Sequence, residues 1–231
     1  MLKGRWKFNT DGADDSGNGR TMTFAGAAHV DPNAGFYWGV SPGGLALNGP
    51  GEYAQTAGPV VAGDQSFTVS AWVLAASRPT ATATVLSQAG VNTDRFALRY
   101  VPAADDPENQ GSYEVVLADT DTAGSRRSTA THSGFTDGGW DHLALVYDAS
   151  RDAMSLYVNG RLEENESNVS EESQVLGFNA ANGGLQVGRS KLGGHSWPGL
   201  IDDVWAYQGA LSEEQINILA APRELETEDG P

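Results

Sequence analysis

The sequence contains no cysteine among its 231 residues. That absence excludes disulfides, thiolate metal sites and cysteine nucleophiles, although it does not assign the protein to the cytosol. Long apolar runs are absent too, because no stretch approaches the roughly 18–20 residues of a membrane-spanning helix. We therefore expect no membrane insertion.

Positive charge is scarce. The chain has 14 lysines and arginines against 30 aspartates and glutamates, which gives a formal net charge of −16. A nucleic-acid partner is not expected, because phosphate binding needs a basic face. An anionic membrane surface would repel the chain for the same reason. Cations are the natural ligands of such a surface, although the charge can also serve solubility alone.

Glycine is abundant, at 29 residues, and forms no repeat. This composition favours short strands joined by tight turns, because glycine adopts the positive φ angles that turns require. Apolar and polar residues alternate in several segments, which is typical of strands with one buried face. The predicted inward-facing residues are Phe67, Val69, Ala71 and Val73; Phe96, Leu98 and Tyr100; Tyr113, Val115 and Leu117; Leu143, Leu145 and Tyr147; Met154, Leu156 and Val158; and Leu185 and Val187.

Turn and helix signals complete this pattern. Asn159-Gly160 predicts a type I′ hairpin, which needs positive φ at both central residues. One segment, 211–219, predicts a helix, with Ser212 and Gln215 placed to form a capping box. Closely spaced strands favour a sandwich over a parallel α/β sheet. We predict an all-β, two-sheet antiparallel sandwich with one short C-terminal helix.

Four segments resemble, in order and spacing, bacterial laminin G-like jelly rolls of the concanavalin A-like lectin and glucanase superfamily. Two departures are Asp141, where the family often has histidine, and a longer connection over 33–44. The resemblance implies a jelly roll over residues 1–221, followed by an acidic linker or tail at 222–231. The four segments are 14–19, 67–73, 139–160 and 199–216.

A calcium site is implied by the same resemblance. Alternation places Asp202 on the face of Val204 and Ala206, and a carboxylate beside a core needs a partner or a metal. The family often holds calcium between the early loop and this late strand, which makes Asp14, Asn18 and Asp202 the candidate ligands. The residues alone also allow an Asx turn at Asp14 and backbone partners for Asp202. A bound calcium would pin the N-terminal segment to the last strand.

The superfamily also contains glucanases, whose catalytic carboxyls alternate on one strand, about 5 Å apart in retaining enzymes. The glutamates here fall in two clusters, 163–166 and 224–228. We predict that both clusters are solvated charge outside strands, and we expect no enzyme.

A sugar site needs aromatic rings for stacking and polar groups for hydroxyls. The alternative is that the loop tryptophans cover the rim of the core and that the arginines neutralise nearby carboxylates. Arg126 and Arg127 form a rare positive pair that could meet an anionic group. The candidate ligand-binding residues are Tyr37, Trp38, Arg189, His195 and Trp197.

These observations favour a non-catalytic binding module that recognises carbohydrate or a protein surface. We expect it to be part of a larger bacterial protein, secreted or on the cell surface, and the first residues show no signal-peptide pattern. A calcium-stabilised spacer or assembly domain is the alternative, and a glycoside hydrolase is a remote one.

Overall fold

The computed structural model describes residues 1–35, 42–75, 77–103, 111–125, 127–134, 138–167, 177–179, 183–191 and 195–221. Fifteen strands and one helix lie within these ranges. They are β1 (Leu2–Trp6), β2 (Thr23–Ala25), β3 (His29–Asp31), β4 (Gly44–Leu47), β5 (Tyr53–Gln55), β6 (Phe67–Ala75), β7 (Ala83–Ala89), β8 (Asp94–Val101), β9 (Ser112–Ala118), β10 (Arg127–Ser133), β11 (Asp141–Asp148), β12 (Ala153–Val158), β13 (Arg161–Ser167), β14 (Leu185–Val187), β15 (Gly199–Gln208) and α1 (Glu213–Ala220).

The described strands form two antiparallel sheets. The eight-stranded sheet has the order β13-β12-β11-β6-β15-β4-β3, and β1 pairs with β15 beside this path. The seven-stranded sheet has the order β10-β9-β8-β7-β14-β5-β2. The all-β, two-sheet sandwich predicted from the sequence is confirmed.

The core lies between the two sheets, and every residue predicted to face inward belongs to it. Side chains on a strand alternate between its faces, so one residue in two reaches this layer. At its centre the Phe67 ring lies 5.0 Å from the Phe96 ring and 5.6 Å from the Tyr147 ring, measured between centroids. The tryptophans Trp6 and Trp197 are fully buried in the same cluster.

The hairpin and the helix also follow the sequence. Asn159 and Gly160 have φ angles of 51° and 81°, as a type I′ turn requires, and they join β12 to β13. Helix α1 begins after Ser212 with both hydrogen bonds of the capping box. Its apolar residues Ile216 and Leu219 pack on the outer face of the eight-stranded sheet. In the described part of the chain, no helix has the length and apolar character needed to cross a membrane.

Strand β15 departs from simple alternation in its middle. Its register against β6 shifts between Asp202 and Trp205, and Asp203 has a φ angle of 40°. Such a bulge adds one residue to the strand and changes the side of the sheet on which the following residues lie. Ile201 and Val204 both reach the core, although three positions separate them.

The bulge corrects the prediction for Asp202. Asp202 pairs with Trp72, whose neighbours in β6, Ala71 and Val73, face the core. Residues directly opposite one another in a sheet share a face, so Asp202 lies on the outer face with Trp72. The prediction that Asp202 shares a face with Val204 is therefore wrong.

The prediction that the first glutamate cluster lies outside strands is wrong as well. Glu163, Glu164 and Glu166 belong to strand β13, at the edge of the eight-stranded sheet, where a loop was expected. The second cluster, 224–228, lies outside the described residues.

Candidate functional site

The loop that follows β1 is held by the carboxylate of Asp14. Oδ1 accepts the backbone amides of Arg5 at 3.1 Å and Ser16 at 2.9 Å, and Oδ2 accepts that of Arg20 at 2.9 Å. Partial burial raises the pKa of Asp14, but the hydrogen bonds from Ser16, Arg20 and Arg5 outweigh it and hold the pKa below its usual range. Asp14 thus anchors the loop in the manner of an Asx turn.

Asn18 completes the loop with its amide nitrogen. Nδ2 donates to the Leu2 carbonyl oxygen at 3.3 Å and to the Ser16 hydroxyl at 2.9 Å. Through these two hydrogen bonds the amide nitrogen of Asn18 holds the loop against β1.

Asp203, beside the candidate ligand Asp202, joins the N-terminal strand to the last strand. Its Oδ1 accepts Arg5 Nε at 3.1 Å, and its Oδ2 accepts Trp205 Nε1 at 2.7 Å. The Arg5 guanidinium also lies 4.0 Å from the centroid of the Trp205 ring. The connection expected of calcium is therefore made by a buried carboxylate and an arginine.

The three candidate ligands all have hydrogen-bond partners within the protein. The oxygens of Asp14 accept three backbone amides, Asn18 Nδ2 donates within the N-terminal region, and Asp202 Oδ1 accepts the amide of Asp203 at 2.7 Å. Across the ranges that the structure covers, no three histidine, aspartate or glutamate side chains converge as a metal site. Calcium stays a prediction of the family resemblance.

The predicted ligand-binding residues separate in the structure. Tyr37 and Trp38 lie outside the described residues, as does Arg126. Trp197 is 0 % exposed and packs in the core, so it does not offer the open stacking face that was expected. The geometry matches the alternative, in which a loop tryptophan covers the core.

Arg189 and His195 reach the outer face of the seven-stranded sheet. The Arg189 guanidinium lies 3.3 Å from the centroid of the Tyr53 ring and donates through Nε to Gln186 Oε1 at 2.9 Å. The guanidinium group of Arg189 therefore covers one face of the Tyr53 ring. His195 is exposed, and its carbonyl oxygen accepts the amide of Thr84 on β7 at 2.7 Å.

His195 borders a polar pocket of about 340 Å³ on this outer face. We call it the Asp94 pocket. The polar groups that line it come from β8, the loop before β8, β10 and the segment after β14. They are Asn92, Thr93, Asp94, Arg99, Arg127, Ser190 and His195.

A bulge at the start of β8 places Asp94 in the pocket. Asp94 pairs with Ala89 and Phe96 with Gln88, so Arg95 is the additional residue. Arg95 turns inward, where Nε donates to the Gly63 carbonyl oxygen at 2.7 Å and Nη1 to that of Ala118 at 2.9 Å. The buried arginine thereby fixes the point from which Asp94 faces outward.

The loop before β8 is fixed by a second aspartate. Asp121 accepts the backbone amides of Val91 and Asn92, each at 2.8 Å, and that of Thr93 at 3.1 Å. These backbone hydrogen bonds, led by that from Val91, hold the pKa of Asp121 below its usual range. Thr93 and Asp94 therefore enter the pocket from a rigid turn.

The two carboxylate oxygens of Asp94 have different surroundings. Oδ2 accepts a short hydrogen bond from the Ser190 hydroxyl. Oδ1 is buried, and no described residue donates a hydrogen bond to it. Burial raises the pKa of Asp94, while the Ser190 hydrogen bond and the charges of Arg127, His195 and Arg99 oppose that rise without cancelling it.

The cations of the pocket are not equivalent. Arg99 forms an ion pair with Glu114 on the neighbouring strand β9, with Nε 2.6 Å from Oε2. Arg127 lies two strands from Asp94, at the start of β10, and is exposed. Since Glu114 balances Arg99, the charge of Arg127 remains to balance Asp94.

A second cleft, of about 550 Å³, lies on the other side of His195. Its walls are mostly small or apolar residues of the segments 48–51, 79–83 and 195–198. Neither acidic nor basic side chains other than His195 line it. The polar chemistry on this side of the domain is therefore concentrated in the Asp94 pocket.

A family model described as the concanavalin A-like lectin/glucanases superfamily matches residues 48–217, well over half of the chain. The chain belongs to this superfamily. The match covers β5 to β15 and all the residues of the Asp94 pocket, and it establishes the jelly-roll character of the sandwich. No curated protein sequence matches the chain.

Solved structures of the same fold include a domain of an extracellular enzyme. Domain 4 of AbnA, a GH43 extracellular arabinanase from Geobacillus stearothermophilus, in complex with arabinotriose, is 24 % identical with a TM-score of 0.67. The alignment covers 96 % of this chain and 98 % of that domain. This likeness concerns the fold.

Bacterial toxin domains share the fold at lower identity. The binding domain of botulinum neurotoxin serotype G is 13 % identical with a TM-score of 0.68. The ligand binding domain of serotype D, in complex with N-acetylneuraminic acid, is 14 % identical with a TM-score of 0.66. In both cases 95 % of this chain matches 50 % of the toxin domain, so the lectin-like sandwich spans about half the length of those domains.

Sequence reasoning identified one edge of the pocket and missed its centre. His195 was a candidate ligand-binding residue and Arg127 a candidate anion contact, and both line the pocket. Asp94, Thr93 and Ser190 were missed. The signal available was Asp94-Arg95 directly before the alternating Phe96 and Leu98, since an arginine at the start of a buried strand indicates a bulge or an internal partner.

Proposed function

We propose that this lectin-like domain is a non-catalytic module that binds carbohydrate in the Asp94 pocket. The observation that carries the proposal is a buried carboxylate oxygen, Asp94 Oδ1, to which no residue in the described ranges donates a hydrogen bond. Buried polar atoms are nearly always paired, so an unpaired acceptor in an open pocket indicates a position for a ligand donor.

The pocket has the mixed polarity that sugar recognition needs. Carboxylate and hydroxyl oxygens accept hydrogen bonds from ligand hydroxyls, and guanidinium groups donate to ligand oxygens. Two solved structures of this fold are complexes with arabinotriose and with N-acetylneuraminic acid. These ligands are bound by other proteins, and they support a sugar as the first class of ligand to test here.

A binding role is favoured over hydrolysis by the carboxyl groups of the pocket. Glycosidases of the usual two-carboxylate type place a pair of them across the sugar, roughly 5–9.5 Å apart. Asp94 is the one carboxyl among the described lining residues, and the nearby Glu114 is engaged by Arg99 at 2.6 Å. We further propose that the domain works within a larger extracellular protein, as domain 4 of the arabinanase does.

A glycan array with the purified domain tests this function, run once with calcium and once with a chelator. We expect binding to a subset of the glycans in both conditions. Each positive oligosaccharide is then incubated with the domain, and we expect no new reducing ends. A blank array in both conditions would overturn carbohydrate binding and favour the spacer role, while new reducing ends would make the domain an enzyme.

A further inference from the structure

We infer that the Asp94 pocket recognises two adjacent hydroxyl groups of a neutral sugar ring, with Asp94 as the acceptor that orients the ring. This inference rests on the proposed carbohydrate-binding function and names its ligand chemistry. It assigns ligand contacts to Asp94, Thr93 and Arg127.

Two buried oxygens of the pocket are left for a ligand. Asp94 Oδ1 and Thr93 Oγ1 belong to residues that line the pocket, are buried, and accept no hydrogen bond within the described part of the chain. Thr93 as a whole is 4 % exposed. An unpaired buried group destabilises the protein, and a hydrogen bond from a ligand hydroxyl would remove that destabilisation. Neither oxygen can be satisfied by Ser190, whose hydroxyl is committed to Asp94 Oδ2.

The donor that Asp94 Oδ1 lacks is a hydroxyl, not an ammonium group. Arg99, Arg127 and His195 all lie close enough to lower the pKa of Asp94 through their charges. A cationic ligand group would meet the guanidinium group of Arg127 in the same pocket of about 340 Å³. Like charges at such distances repel, so an amino sugar or a lysine side chain is disfavoured.

A ligand carboxylate is disfavoured by the opposite charges. Glu114 lies against Arg99 at 2.6 Å, which leaves Arg127 as the cation that balances Asp94. A carboxylate placed on Arg127 would approach the buried anion of Asp94. The pocket is therefore close to electrical neutrality, in a chain whose net charge is −16.

Adjacent hydroxyls fit because the two unpaired oxygens belong to the consecutive residues Thr93 and Asp94, in a pocket that also contains guanidinium donors. A hydroxyl that donates to Asp94 Oδ1 still has lone pairs to accept a hydrogen bond from a guanidinium group, and its neighbour on the ring can pair with Thr93 Oγ1. The acceptors are held in place in advance, since Asp121 fixes the turn of Thr93 and Ser190 fixes Asp94. Such pre-organisation reduces the entropy lost on binding.

The test is isothermal titration calorimetry of the whole domain with named probes. The neutral probes are the trisaccharides of arabinose, xylose, glucose, galactose and mannose, and the charged ones are those of glucuronic acid and glucosamine. We expect at least one neutral probe to bind, and to bind more tightly than either charged probe. Preference for a charged probe would overturn the neutral-sugar inference while leaving carbohydrate binding intact.

Variants then locate the site. We expect Asp94→Asn to weaken binding of the best neutral probe by about 10- to 100-fold, as for the loss of a hydrogen bond to a charged group. Thr93→Val replaces the hydroxyl with a methyl group and is expected to weaken binding by about 3- to 10-fold. Arg127→Gln, at the exposed edge of the pocket, is expected to weaken binding by about 3-fold.

Matched controls lie in the turn between β11 and β12, in the other sheet. Asp152→Asn and Arg151→Gln make the same charge changes there, and we expect both to bind like the parent. Unchanged affinity in both Asp94→Asn and Thr93→Val would overturn the inference and leave a sugar site elsewhere on the domain. No binding of any probe, together with a blank array, would overturn the proposed function as well.

Discussion

The Asp14 loop and the Asp94 pocket are each built around an aspartate near a strand end. The carboxylate oxygens of these two aspartates differ in their hydrogen-bond partners. In the loop, the two oxygens of Asp14 accept three backbone amides. In the pocket, Asp94 Oδ2 accepts Ser190 while the buried Oδ1 receives nothing from the described residues. The pKa values differ accordingly, since that of Asp14 is lowered and that of Asp94 is raised.

A carboxylate whose oxygens are filled by its own chain stabilises the fold, and one that is left partly unfilled is available to a ligand. The family motif around Asp14 drew attention to the first kind. The second kind has no motif, and only the arrangement of β8, its preceding turn and Ser190 reveals it. Substitutions in the Asp14 region should therefore reduce stability, and substitutions in the Asp94 pocket should reduce binding.

The largest effect is expected at Asp203, which supports the N-terminal region together with Asp14. Asp203→Asn removes the charge that pairs with Arg5 and one acceptor for Trp205 Nε1. Because the carboxylate is only 1 % exposed, we expect the free energy of unfolding to fall by about 3 kcal/mol. Urea denaturation of the parent and the variant measures this change in the free energy of unfolding.

The control for Asp203→Asn is Asp152→Asn, a residue that also has positive φ, at 56°, but lies in a turn. It should stay within about 0.5 kcal/mol of the parent. Affinity for the best neutral probe should not change in Asp203→Asn. A loss of stability below about 1 kcal/mol would contradict the role of Asp203 in joining β1 to β15.

For Asp14→Asn we expect a smaller decrease in the free energy of unfolding, about 1–2 kcal/mol, because the amide keeps one acceptor oxygen and loses the other. The pKa of Asp14 in the folded state lies below its usual value of 3.8, so its stabilisation is present above pH 3.8 and is lost as the pH falls through the folded-state pKa. The stability difference between parent and Asp14→Asn should therefore shrink on acidification below pH 3.8. A difference that is independent of pH would contradict the carboxylate's role.

Calcium is expected to have almost no effect on stability. A ligand at 100 times its Kd stabilises the folded state by about 2.7 kcal/mol, which a thermal melt detects easily. Since three backbone amides already hold Asp14 and its loop in place, we expect equal Tm values in millimolar calcium and in a chelator. A rise in Tm with calcium that Asp14→Asn abolishes would restore the calcium site of the family resemblance.

The alternation of apolar and polar residues predicted the fold, because a strand with one buried face can be recognised from its residue types. The inward-facing residues of β6, such as Phe67 and Val69, are confirmed for that reason. The turn at Asn159-Gly160 and the cap at Ser212 were equally visible, since both depend on neighbours within four residues.

The features that alternation missed are bulges. One additional residue at Asp203 moves Asp202 to the outer face, and another at Arg95 turns Asp94 into the pocket. A pattern of period two contains no information on where such a residue is inserted. The partners of Asp94 were also hidden, because Ser190 is 96 positions away in the chain.

The most direct test compares Asp94→Asn with Asp14→Asn in the same urea denaturation experiment. We predict that Asp94→Asn keeps or raises the free energy of unfolding, within about 1 kcal/mol, because it removes a charge that burial disfavours. Asp14→Asn should lose stability under the same conditions. If Asp94→Asn is destabilised as much as Asp14→Asn, Asp94 is a structural residue like Asp14, and the pocket was not left open for a ligand.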